Sequence, residues 1–93
     1  MEIKKIASAG SLDSSDVLVT VELNHKTENC ITINSPFIRQ FGQEMKNIVI
    51  KILNDLKINN CNIVIQDQGA INEVLIARIV TAISRATEQT INY

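Results

Sequence analysis

The stretch Asp16-Val17-Leu18-Val19-Thr20-Val21-Glu22-Leu23 decides the fold class, because Val17, Val19, Val21 and Leu23 fall at period two. Leu18, Thr20 and Glu22 lie between them, so the pattern predicts a strand with one strongly buried face. Downstream, Asn24-His25-Lys26-Thr27-Glu28-Asn29 reads as a polar turn, and Cys30-Ile31-Thr32-Ile33-Asn34 as a second β-rich run. Two such runs with a short polar link between them predict an antiparallel hairpin. Ser35-Pro36 then punctuates the chain, with Asn34 or Ser35 placed to cap a helix that has Pro36 in its first turn. Ile38, Phe41, Met45, Ile48, Val49, Ile52, Leu53 and Leu56 follow at spacings of three and four, which gives that helix one apolar face. Gly42 inside it suggests a close approach by another backbone.

Asn59-Asn60 ends the helix, and Cys61-Asn62-Ile63-Val64-Ile65 reads as a third strand. Gln66 to Ala70 is a turn in which Gly69 suits a positive φ. A second helix runs from near Ile71 to about Thr87, with Leu75, Ile79, Ala82, Ile83 and Ala86 on its apolar face. The tail from Gln89 to Tyr93 is expected to fray. The order β-β-α-β-α predicts an α+β two-layer sandwich, a three-stranded, mainly antiparallel sheet with two helices on one face. Residues 1–93 are read as a single domain, with 1–15 a flexible leader of small and polar residues and 16–90 the folded core.

Composition narrows the function. The chain has 93 residues, 45% of them apolar, but only Phe37, Phe41 and Tyr93 are aromatic. The core must therefore be filled by Ile, Val, Leu and Ala, and a domain of this size has no room for a deep substrate pocket as well. Nine basic and ten acidic residues leave a net charge of −1, which gives no electrostatic footprint for nucleic acid. No apolar run is long enough to span a membrane, and Met1-Glu2-Ile3-Lys4-Lys5 lacks the apolar stretch of a signal peptide. Cys30 and Cys61 have the spacing of neither a metal site nor a redox pair, and read as buried hydrophobes in a reducing cytoplasm.

The catalytic inventory is thin. His25 sits in a predicted turn with no cysteine or carboxylate cluster beside it, and reads as a solvated loop residue. No acidic pair and no phosphate-binding glycine loop is evident, so neither catalytic residues nor a metal site is expected. Arg78 and Arg85, seven residues apart, share one side of the second helix. They fit a solvated face paired with Glu73 or Glu88, which is the commoner case, or a contact for a phosphate or a partner subunit. The remaining feature is Ser14-Ser15, set between Asp13 and Asp16 in the leader and reachable by a modifying enzyme. By composition alone such a loop is more often a plain linker.

Ala9-Gly10-Ser11-Leu12-Asp13-Ser14-Ser15-Asp16-Val17 resembles the Ala-Gly-Thr/Ser-Leu-Glu/Asp-Ser-Ser/Gly-Asp-Val segment of the citrate lyase acyl carrier proteins. Gln40-Phe41-Gly42 is similar to that family's Gln-Phe-Gly, and Asp67-Gln68-Gly69-Ala70 with Leu75-Ile76-Ala77-Arg78 to its Asp-Lys-Gly-Ala and Leu-Arg-Ala-Arg. The match runs from about residue 2 to about residue 90. It departs at Gln68 and Ile76, where the family carries basic residues, so any phosphate or partner contact made there is weaker or moved. The resemblance implies a non-catalytic carrier subunit. Its 2′-(5″-phosphoribosyl)-3′-dephospho-coenzyme A would be joined to Ser14 through a phosphodiester, with Ser15 the weaker candidate. It further implies a prosthetic-group transferase that loads the arm, a transferase (α) subunit that exchanges acetyl for citryl, and a lyase (β) subunit that cleaves the citryl thioester. Citrate would thereby yield acetate and oxaloacetate. Ordinary acyl carrier proteins also modify a serine after an aspartate, but they are acidic helical bundles, whereas here strand patterns follow the serines directly. The alternatives are the carrier subunit of malonate decarboxylase, with a related arm, and an unmodified interaction module.

Overall fold

The computed structural model describes all 93 residues, and its element order is β1 (Ala7–Gly10), β2 (Val17–Leu23), β3 (Cys30–Asn34), α1 (Ile38–Asp55), β4 (Cys61–Asp67) and α2 (Asn72–Thr87). The fold is α+β, but the sheet has four strands rather than three, in the order β1-β2-β4-β3. Two of its pairings are antiparallel, β1 with β2 and β2 with β4, while β3 runs parallel to β4. The expected hairpin between β2 and β3 is therefore absent, because β4 is inserted between them. The polar link between β2 and β3 has to cross one strand width, and its two asparagines secure the start of β4 on the way. Asn24 Nδ2 donates to the Cys61 carbonyl at 3.1 Å, Asn29 Nδ2 donates to the Ile58 carbonyl at 2.7 Å, and Cys61 N–H donates to Asn29 Oδ1 at 3.0 Å. His25 lies exposed in this link with φ 59°.

Period two places Val17, Val19 and Val21 of β2 beside Cys61, Ile63 and Ile65 of β4 on one face, all fully buried. The helices cover that face: α2 packs on β1 and β2, and α1 on β3. Met45, Val49, Ile52 and Leu53 of α1 and Leu75, Ile79, Ala82, Ile83 and Ala86 of α2 complete a core with no aromatic residue. Aliphatic side chains supply all of its burial, each contributing roughly 1.5–3 kcal/mol when fully enclosed. The first turn of α1 departs from expectation, with Ile38 and Phe41 exposed rather than buried. Regular helix starts at Ile38, after a turn organised by Ser35, whose Oγ accepts the Phe37 N–H at 3.0 Å. Gly42 marks no backbone approach either: a Cβ there would meet only the side chain of Ile38. Of the two cysteines Cys61 is buried and Cys30 half-buried, both unpaired, and burial pushes the Cys61 thiol up to about 11. At the other end of the chain Tyr93 is not frayed away, since its Oη donates to Asp55 Oδ2 at 2.6 Å.

The largest correction concerns residues 1–15, which are not a flexible leader. Ala7–Gly10 pairs with β2 as an edge strand, Ile3 and Ala9 are buried, and the Lys4 and Lys5 N–H groups both donate to the Ala86 carbonyl. Arginines of α2 hold the segment down. Arg85 Nη1 donates to the Ser8 carbonyl at 2.8 Å, and Arg78 donates through Nε and Nη2 to the Asp16 carboxylate at 3.1 and 3.2 Å. Both arginines thus make internal contacts, and neither is paired with Glu73 or Glu88. Asp16 also accepts Ser11 Oγ–H at 2.7 Å and the Val17 N–H at 2.8 Å. Hydrogen bonds from Ser11, Arg78 and Val17 together lower its carboxyl from 3.8 to about 2.

At Gly10, φ is +95° and an added Cβ would lie 1.8 Å from the Val17 carbonyl oxygen. Gly10→Ala should therefore cost at least about 3 kcal/mol in urea unfolding, through both backbone strain and collision. Gly42→Ala should be neutral or add up to about 1 kcal/mol, because the Ile38 tip can turn aside while the helix gains propensity. Asp16 yields a pH test with a fixed sign. Its folded pKa lies below its ordinary value, so the clamp contributes fully above 3.8 and loses its contribution as pH falls toward 2. The gap in urea midpoint between wild type and Asp16→Asn should stay constant from neutral pH to about pH 5, then close in that acid window. A gap that persists at pH 2 would show that the carboxylate charge is not what holds the loop.

Candidate functional site

The two serines singled out in the sequence lie in the six-residue loop from Ser11 to Asp16 that joins β1 to β2. Both are exposed. The loop is tied at several points. Ser11 N–H donates to the Val17 carbonyl at 3.2 Å, Asp13 N–H to Ser11 Oγ at 3.2 Å, and Asp16 N–H to the Asp13 carbonyl at 3.0 Å. The turn after β4 adds two more ties, Ser15 N–H to the Gln68 carbonyl at 2.8 Å and Gln68 N–H to the Asp16 carbonyl at 2.9 Å. Amid these, Ser14 sits exposed at the crest with its hydroxyl in no intramolecular hydrogen bond, as is also true of the Ser15 hydroxyl. Its neighbour plays another part: Ser15 has φ 66°, a left-handed conformation that glycine adopts more readily. Interchange of Ser and Gly at that position has a backbone explanation.

Ser14 and Ser15 also form one rim of an open groove of about 640 Å³. Phe37 and Phe41 line it from the start of α1, Ile71 from the cap of α2, and Gly69 from the turn between β4 and α2. Gly69 has φ +95°, and the ring of Phe37 lies over it so closely that a Cβ would stand 3.2 Å from Cε2. Asp67 organises the floor. It is 4% exposed, and its carboxylate accepts Ser35 Oγ–H at 2.7 Å and the Ala70 N–H at 3.0 Å. One buried carboxylate thereby joins the entry to α1 with the turn before α2. The sequence held a signal for it: Asp67 is the polar residue in an inward register otherwise made of Cys61, Ile63 and Ile65. Phe41 lay in the Gln40-Phe41-Gly42 resemblance but read as core from its helical spacing, and nothing pointed to Phe37.

The site offers little chemistry of its own. No three His, Cys, Asp or Glu side chains converge where they could hold a metal ion. No helix is long and apolar enough to cross a membrane. Every buried side-chain polar atom has a hydrogen-bond partner, so the interior offers no unsatisfied group to a ligand. What the molecule presents is two exposed serine hydroxyls on a hydrogen-bonded loop, beside an open groove with both apolar and polar lining.

Comparison with known proteins accords with that geometry. A solved structure of homoserine kinase from Cytophaga hutchinsonii superposes with a TM-score of 0.60 at 15% identity, over 97% of this chain and 36% of the kinase, a likeness of fold alone. Residues 4–86 match the family model described as malonate decarboxylase delta subunit (MdcD). Among individual relatives, the citrate lyase acyl carrier protein of Haemophilus influenzae (strain PittEE) is 42% identical over 93 residues, covering all of this chain and 96% of the relative. Those of Fusobacterium nucleatum and Clostridium perfringens are 39% and 42% identical over 88 residues, each covering 95% of this chain and respectively 94% and 87% of the relative. With identity at this level over the full length and the leader loop intact, the chain belongs to the citrate lyase acyl carrier protein family.

Proposed function

We propose that Ser14 is the point at which this non-catalytic carrier subunit is joined to its prosthetic group, 2′-(5″-phosphoribosyl)-3′-dephospho-coenzyme A. The observation that carries this reading is the exposed Ser14 hydroxyl, in no intramolecular hydrogen bond, between the backbone ties of Asp13 and Ser15. The group fits there. Attachment disturbs no buried contact, and the adjoining groove leaves room beside the hydroxyl. Nothing next to Ser14 is placed to activate it, so the prosthetic-group transferase must remove its proton. Ser14 Oγ then forms a bond to the 5″-phosphorus of a triphosphoribosyl precursor as pyrophosphate leaves. Once attached, the group supplies a thiol that holds acetyl and citryl as thioesters.

The protein's own residues do the positioning. Arg78 and Asp16 fix the base of the loop, Gly10 allows β1 to approach Val17, and the Ser15 and Gln68 bonds set the height of the crest. A fixed crest limits the places where the arm can begin its path. This shortens the search between the acetyl-exchanging transferase (α) subunit and the lyase (β) subunit, which we infer to be the partners in converting citrate to acetate and oxaloacetate. The unpaired cysteines fit a reducing cytoplasm as the site of action. Malonate decarboxylase remains the second reading because of the description borne by the matching family model, and assay of the assembled complex with citrate and with malonate separates the two.

Incubation with the citrate lyase modifying transferase and precursor should raise the intact mass of wild-type chain by one phosphoribosyl-dephospho-coenzyme A. Peptide mapping of residues 1–26 should place the increase on Ser14. Ser14→Ala should stay unmodified while unfolding at the same urea concentration as wild type. Ser15→Gly should accept the group fully, since it removes only a side chain from a left-handed position. Full modification of Ser14→Ala would move the anchor to Ser15.

A further inference from the structure

We propose that the groove beside Ser14 seats the adenine of the attached arm, with Phe37 and Phe41 supplying the faces on which the base packs. This inference rests on Ser14 as the anchor. Two of the chain's three aromatic side chains line this groove, where Phe37 is 41% and Phe41 53% exposed, and Ile71 at the far rim is 62% exposed. An aliphatic core that needed apolar volume has left both phenylalanines outside it. A groove volume of about 640 Å³ falls within the ~300–1,000 Å³ span of small-ligand sites. Gly69 keeps the Phe37 ring low over the turn, so the floor stays open to a flat group.

The polar groups around the groove select which part of the arm enters. Glu44 and Glu73 are exposed at its edge, and Asn72 donates through Nδ2 to Glu44 Oε2 at 3.2 Å. Carboxylates accept hydrogen bonds from an exocyclic amine and repel phosphate, so a neutral aminopurine is favoured and the diphosphate is turned outward. Stacking of a base on an aromatic side chain tolerates any flat π-surface, and a tether raises the local concentration of that base far above solution levels. The adenosine follows directly after the phosphoribosyl link at Ser14, which makes its base the first flat apolar group within reach. The pantetheine beyond it stays outside, free to carry its thioester to other subunits.

The test uses full-length chain modified in vitro, with the intact mass recorded before any spectrum. The adenine H2 and H8 protons should shift upfield from their positions in free dephospho-coenzyme A and show NOEs to the rings of Phe37 and Phe41. In Phe41→Ser, carrying the same mass increase, those shifts should return toward the free values, while Phe41→Tyr should keep them. Because Phe41 is exposed, Phe41→Ser is expected to fold, and its backbone amide spectrum checks that. If the arm is on Ser14 by mass while the adenine protons remain at their free positions, the groove assignment falls and the anchor stands. NOEs from the pantetheine methyls instead of the base overturn it equally. A chain that cannot be modified at Ser14 removes both.

Discussion

The Asp16 carboxylate is the constraint on which the functional end of this molecule depends. It accepts hydrogen bonds from the Ser11 hydroxyl, the Val17 amide and two nitrogens of Arg78, so it joins the loop, the start of β2 and the middle of α2 at one point. Each of these is a local or paired interaction of modest net value, but together they leave the loop one arrangement. Gly10 is required by the same closure, since β1 can only come this near to Val17 without a side chain. The Arg85 bond to Ser8 and the Lys4 and Lys5 bonds to Ala86 extend the attachment along the segment. An edge strand of four residues, with little apolar surface of its own, is held mainly by these polar ties.

That explains how the sequence could disclose the core and conceal the leader. Strands β2 and β4 and both helices follow hydrophobic periodicity, because each buries one face against the others, and their spacing records it. Residues 7–10 read Ala-Ser-Ala-Gly, which has the alternation of a strand without large side chains to display it. What makes it a strand is its pairing with β2, braced by Arg85 from 77 residues away, and no local pattern records that. Strand order escaped for a related reason. The link from Asn24 to Asn29 is compatible with a hairpin or with a step across one strand, and the choice depends on where β4 goes. The asparagines that settle it act only once β4 has arrived.

Candidate-site residues divide along the same line. Ser14 and Ser15 were legible because the loop's residues resemble a known segment, and the left-handed backbone at Ser15 gives its neighbouring role a physical basis. Arg78 and Arg85 were legible as a pair on one helix face but not as braces, since their partners lie in the least patterned part of the chain. Phe41 was misleading, because a helical repeat ordinarily points inward, and Phe37 lay outside that repeat. Both line the groove beside the turn between β4 and α2 instead of the core.

On the proposal that Ser14 bears the arm, a tied loop changes where the mobility of such a carrier must reside. If residues 1–15 were loose, reach would be shared between protein and arm, and the reactive end would explore a wide volume around the domain. With the crest fixed by Asp16, Gly10 and Gln68, the protein contributes direction and the covalent arm contributes nearly all of the travel. Effective concentration at a partner's active site rises as the tether's length approaches the span it must cover and falls when slack is added. A loop that flexed would add such slack at no gain in reach. The clamp at the root of the loop therefore serves transfer as well as folding, and the carrier can remain catalytically inert while still governing where its thioester goes.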